Sequence, residues 1–118
     1  MIIGIDLGTT NSLVAYYDNG EAKIIPNRLG EHLTPSIVSM DENETLYIGK
    51  TAKERKIKYA DNTIEVFKRS MGTDKEFRLQ GKKYKAEEIA SFILRALKED
   101  AEEYLKCPIE EAVISVPA

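Results

Sequence analysis

At 118 residues the chain has the length of one domain and enough surface to bury a modest core. Apolar residues make up 42% and charged residues 31%, which excludes a disordered polar chain. A net charge of −3 gives no reason to expect nucleic acid or an anionic membrane as partner, and no apolar stretch approaches the ~20 residues of a membrane span.

Met1 leads directly into a strand pattern, without a basic leader and cleavage site, which points to the cytoplasm rather than secretion. The first strand, Ile2 to Leu7, carries Asp6 near its end and breaks at Gly8, followed by Thr9, Thr10 and Asn11. Gly8 lacks a Cβ, so the chain can turn sharply and a bulky anion can approach its backbone. Consecutive N–H groups in such a turn form an anion-binding concavity, to which the hydroxyls of Thr9 and Thr10 add donors. Asp6 would repel a phosphate directly, but it can hold a hard divalent cation that bridges to phosphate oxygens. An ordinary hairpin turn, with Asp6 bonding only locally, is the other reading of the same residues.

Residues 12–17 predict a second strand, and the Asn19-Gly20 pair a tight hairpin into a third at 21–26. After a turn at 27–30, two short strands are expected at 36–40 and 46–48, around the acidic turn 41–44. Residues 51–57 predict a helix capped by Thr51, and residues 61–69 a second short helix that Gly72 stops. Residues 76–80 and 83–84, flanking Gly81, predict a small hairpin.

One long helix is expected from 86 to 106, ended by Pro108. Its stripe of Ile89, Phe92, Ile93, Ala96, Leu97, Ala101, Tyr104 and Leu105 recurs every three or four residues. Glu87 and Glu88 suit its positive end, and Glu102 with Lys106 forms an i,i+4 pair. Residues 112–116 read as a strand of the kind buried on both faces, bounded by Pro117. Such a strand at the terminus suggests a piece of a longer chain with an incomplete sheet.

Cys107 is the single cysteine and His32 the single histidine. Without partners, neither cysteine catalysis nor zinc binding is expected. The absence of a possible internal disulfide fits a reducing compartment.

Five segments stand in one order: GIDLGTTNS at 4–12, TPSIV at 34–38, GKTAKER at 49–55, NTIEVFKRSMG at 62–72 and AVISVPA at 112–118. Together they resemble the seventy-kilodalton heat-shock chaperones of the DnaK type. The resemblance covers essentially the whole chain, but at most the first third of that family's ATPase domain. It implies an α/β fold of the actin-like, ribonuclease-H-like class in partial form. A mixed β-sheet with helices would carry a small α/β subdomain inserted at about 27–110.

By this resemblance Asp6 holds the magnesium shell, and Gly8, Thr9, Thr10 and Asn11 wrap the β- and γ-phosphates of ATP or ADP. Lys68 contacts the γ-phosphate and orients the attacking water. Nothing in its local spacing separates it from Lys53, Lys56 or Lys58. Pro117 resembles a proline that relays nucleotide state to a peptide-binding domain, and a plain strand terminator is the other reading. The whole protein would couple ATP hydrolysis to binding of unfolded, extended apolar peptides, assisted by a J-domain co-chaperone and a nucleotide-exchange factor. This chain alone would hydrolyse no ATP.

Two departures stand out. Ser70 and Met71 replace a more apolar pair, which implies a less tightly packed helix. Only about a dozen residues separate Gly72 from the long helix, where the best-known members carry a longer insert. That shortening resembles the bacterial HscC branch, and it puts in doubt any partner that uses the missing surface. An actin-like filament protein and a sugar kinase share the opening strand and loop, and they are the alternative readings.

Overall fold

The computed structural model describes residues 2–115. β1 (Ile2–Leu7) buries Ile3, Ile5 and Leu7 and turns the residues between them to the opposite face, the period-2 pattern of a strand on a core. β2 (Asn11–Asp18) and β3 (Glu21–Ile25) follow, joined by Asn19 and Gly20 at φ 52° and 83°. Both central residues of this turn are left-handed, as an Asn-Gly hairpin favours. Next come β4 (Thr34–Pro35), β5 (Val38–Met40), β6 (Leu46–Ile48), helix α1 (Lys50–Arg55) and β7 (Thr63–Ile64). The hairpin β8 (Glu76–Leu79) and β9 (Lys82–Lys85) leads into α2 (Ala86–Leu105), and β10 (Glu111–Ser115) closes the described chain.

The main sheet has the order β10-β1-β2-β3, with β4 added to the start of β2. β10 runs parallel to β1 and the other pairings are antiparallel, so the sheet is mixed. A second sheet, β6-β5-β7, and the β8-β9 hairpin lie between β4 and α2 in the chain. α2 lays Ile89, Ile93, Leu97 and Ala101 over β1, β2 and β3, where they meet Ile3, Ile5, Leu7, Val14 and Ile25. Residues four apart share one helix face, and this spacing keeps the stripe on the sheet along the helix. No described helix is long and apolar enough to cross a membrane.

Several local expectations are corrected. Thr51 does not cap α1. Gly49 occupies the cap position at φ 82°, and a Cβ there would lie 2.9 Å from the Thr34 methyl group. The helix expected at 61–69 does not form. Two 3-10 turns, Ala60–Asn62 and Lys68–Ser70, flank β7 and the left-handed Val66 at φ 51°. The β-branched Thr63 pairs with Ser39, and Ile64 with Val38. Asn62 is committed to long-range bonds, its side chain accepting from the Gln80 amide at 2.8 Å and its carbonyl from Ser39 Oγ at 3.0 Å. Tertiary pairing therefore overrides a weak helical preference. With no helix at 61–69, Ser70 and Met71 loosen none, and Met71 packs against the core.

α2 ends at Leu105, where Lys106 turns left-handed at φ 56°, ahead of Pro108. That turn takes Lys106 off the helix line, so it pairs with Glu103 at 3.2 Å rather than Glu102. Glu102 instead accepts from the Ile109 amide at 2.9 Å. Tyr104, expected in the buried stripe, is half exposed beside Tyr16. β10 is exposed at every position instead of buried on both faces, because it forms the sheet edge outside the strands that α2 covers.

Arg28 ties the turn after β3 to α2, its Nε donating to Asp100 Oδ1 at 2.9 Å. The Asp100 side chain is 5% exposed and that of Arg28 62%. Burial pushes the Asp100 carboxyl above its usual range and outweighs the opposing pull of Arg28, whose own value that hydrogen bond raises. A carboxyl raised on folding stabilises the fold below its unfolded value, near ~4, and loses that contribution as pH rises through the folded value. Asp100→Asn keeps an acceptor for Arg28 without the charge. Its melting temperature relative to the parent is thus expected to be higher at pH 7 than at pH 4. A relative gain at pH 4 instead would show that Arg28 outweighs burial.

Candidate phosphate-binding site

The turn between β1 and β2 holds the residues singled out by their chemistry. Leu7 pairs with Ser12, which leaves Gly8, Thr9, Thr10 and Asn11 to reverse the chain. Asp6 is exposed on the sheet face opposite α2, Thr9 is half-buried, and Thr10 and Asn11 are exposed. The turn is so tight that a Cβ on Gly8 would lie 2.1 Å from the Asn11 carbonyl oxygen. Only a residue without a side chain fits there.

Lys68 arrives from 61 positions further along, and its Nζ donates to the Leu7 carbonyl. This places one ammonium group between Asp6 and Gly8 in sequence, at the mouth of the turn. The other lysines considered stand elsewhere: Lys53 lies within α1, Lys56 pairs with Glu65 at 2.5 Å, and Lys58 lies over the Tyr59 ring. The long-range fold thus separates lysines that local spacing leaves equivalent. Pro117 lies outside the described residues.

The segment TPSIV has a part in the site that spacing alone does not show. β4 pairs Pro35 with Asn11 and Thr34 with Ser12, which brings Ser36 beneath the turn. Ser36 Oγ donates to the Gly8 carbonyl at 2.8 Å, and its amide donates to the Thr10 carbonyl at 2.9 Å. Ser36 and Ser12 are buried to 1% exposure, with their hydroxyls 2.8 Å apart. Asn27 steadies the next turn, donating to Thr34 Oγ1 at 3.0 Å and accepting from the amides of Leu29 and Glu31. The only sequence signal for these supports was a pair of polar residues, Ser12 and Ser36, at positions their neighbours marked as apolar.

The donor set suits a phosphate. A glycine cradle that a Cβ would fill, two threonine hydroxyls and one ammonium group offer close approach and positive charge. Among the described residues no group of three or more His, Cys, Asp or Glu could hold a metal ion. Asp6 alone fits magnesium, which keeps several waters and binds through one or two carboxylates plus substrate phosphates. His32 is exposed, and Cys107 is a half-buried free thiol.

Compared with known protein families, the chain matches the model described as Hsp70 protein over residues 2–78 and 73–118. That match favours the chaperone reading over the filament protein and the sugar kinase. The mixed sheet with α2 on one face and the second small sheet is part of the actin-like α/β fold of an Hsp70 ATPase domain. Motifs, fold and match agree, and the chain belongs to the Hsp70 family of ATP-binding heat-shock chaperones.

Proposed function

We propose that this chain is the N-terminal part of the nucleotide-binding domain of a DnaK-type chaperone of the HscC branch. The observation that carries the nucleotide site is the convergence of Lys68 on the Leu7 carbonyl beside the Gly8 cradle. Two elements 61 positions apart have no local reason to meet, and their meeting puts a cation beside a turn built for an anion.

In this reading ATP supplies the transferable phosphoryl group and magnesium neutralises its charge. Gly8, Thr9, Thr10 and Asn11 bind the β- and γ-phosphates, and Asp6 orients the magnesium's water shell. Lys68 binds the γ-phosphate and aligns the attacking water. Phosphoryl transfer needs positioning and charge neutralisation more than covalent chemistry, and these residue types supply both. Residues from about 27 to 110 form the inserted subdomain, a reading supported by the second sheet and the hairpin between β4 and α2. The compact β8-β9 hairpin fits the shortened insert of the HscC branch.

In the whole protein, hydrolysis switches the affinity of a distant site for extended apolar peptides, a coupling between two sites. Pro117 carries part of that relay. A J-domain co-chaperone and a nucleotide-exchange factor drive the cycle in the cytoplasm. The chain alone hydrolyses no ATP. The test is steady-state hydrolysis by the whole protein with and without magnesium and an extended apolar peptide. Turnover that requires magnesium and rises with peptide is expected, whereas turnover indifferent to peptide would remove the coupling.

A further inference from the structure

Every carbonyl of a phosphate-binding turn that faces the anion opposes it, because the oxygen is the negative end of the peptide dipole. At this turn three of them are already engaged. The Leu7 carbonyl accepts from Lys68, the Gly8 carbonyl from Ser36 Oγ, and the Thr10 carbonyl from the Ser36 amide. Ser36 therefore takes two of the three, on either side of Thr9, from a position buried to 1% exposure.

The proton count orders the hydrogen bonds. The Gly8 carbonyl can only accept, so the single hydroxyl proton of Ser36 goes to it. In the 2.8 Å contact between the two serines, Ser12 must then be the donor and Ser36 the acceptor. The chain of donation runs from Ser12 through Ser36 to Gly8. It is long-range, runs through two buried hydroxyls, and joins β2, the segment after β4 and the turn.

We infer that Ser36 is a positioning residue for nucleotide phosphates: its hydroxyl and amide hold the Gly8 and Thr10 carbonyls away from the bound anion, and Ser12 orients that hydroxyl. The inference rests on the nucleotide-site reading above and adds a residue that would not touch the ligand. Losing the hydroxyl frees the Gly8 carbonyl to turn toward a phosphate, and it leaves the adenosine part of the ligand unaffected.

The experiment compares ADP with adenosine in the whole protein, by competition against a fluorescent ADP analogue. The quantity read is the factor by which ADP binds more tightly than adenosine. Ser36→Ala is expected to shrink that factor about tenfold, the equivalent of one buried hydrogen bond. Ser36→Cys, which keeps the packing volume but donates weakly, is expected to follow it. Ser12→Ala, which leaves the Ser36–Gly8 bond in place, is expected to shrink the factor by less. A factor equal to the parent's in both Ser36 variants, or a parallel fall in ADP and adenosine affinity, would overturn the inference while leaving the nucleotide site standing. A parent that binds ADP no better than adenosine would overturn both.

Discussion

Lys68→Ala in the whole protein is expected to lower kcat for ATP hydrolysis about a hundred- to a thousandfold, the loss seen when one preorganised charge-stabilising donor is removed. Lys68 enters from a 3-10 turn packed by the buried Phe67, so its ammonium group is carried by the core and not by a loose loop. Its partner in this structure is the Leu7 carbonyl, a neutral acceptor that a phosphate would outcompete. Loss of that single bond to backbone costs about 1 kcal/mol of stability, too little to unfold the domain. Single-turnover hydrolysis separates chemistry from product release, and a rate matching the parent's would remove Lys68 from the reaction. Lys68→Arg keeps the charge but replaces a compact point charge with a planar fork, so only partial recovery is expected.

Gly8→Ala is expected to weaken ADP binding about ten- to a hundredfold, as a free-energy loss of about 1–3 kcal/mol from overpacking implies. The added methyl group would sit 2.1 Å from the Asn11 carbonyl oxygen, and the nearest atoms are all Asn11 backbone, with no flexible side chain to move aside. The turn must open, which breaks the pairing of Leu7 with Ser12 or the grip of Ser36 on the Gly8 carbonyl. Calorimetric titration with ADP measures the affinity, and urea unfolding measures the accompanying loss of stability. Unchanged affinity would show that the ligand does not depend on the tight form of the turn. Gly4 makes a control, since its φ lies outside the left-handed region and a Cβ there would meet only the Val113 carbonyl oxygen, at 4.0 Å.

The two substitutions probe different parts of one site. Gly8 determines the shape of the turn, which in the proposed site would act on binding of any phosphate. In the proposed site, Lys68 would supply charge that matters most where charge develops in the transition state. Ser36 lies behind the turn, and its effect is expected to fall on phosphate recognition without altering the groups proposed to contact the ligand. Comparing the three variants in affinity and in kcat therefore separates cradle, charge and support.

Much of this architecture follows from local pattern. The alternation in β1 and the three- and four-residue spacing in α2 each describe a face that one element must bury, and the structure buries those faces except at Tyr104, while Asn19 and Gly20 form the left-handed turn their pair favours. The glycine at position 8 was legible for the same reason, since the need for a residue without a Cβ is local. What local pattern misjudged was the stretch from 61 to 69, where β-branched Thr63 and Ile64 join β5 and Asn62 is held by Gln80 and Ser39. Those partners lie 18 to 26 positions away from the stretch's members, and a window of neighbouring residues contains no trace of them.

The sequence by itself determined the turn chemistry at Gly8, the carboxylate at Asp6, the hydroxyls at Thr9 and Thr10, and the amphipathic helix that supports the sheet. Local pattern left Lys68 equal to its neighbouring lysines and only the family resemblance named it; tertiary structure brought it to that turn and decided which buried hydroxyl holds the turn's carbonyls. The physical reason is one of range. Backbone conformation and burial pattern are set by residues within a few positions. The meeting of Lys68 with Leu7, and of Ser36 with Gly8, exists only once the core has packed and brought distant segments within hydrogen-bonding distance.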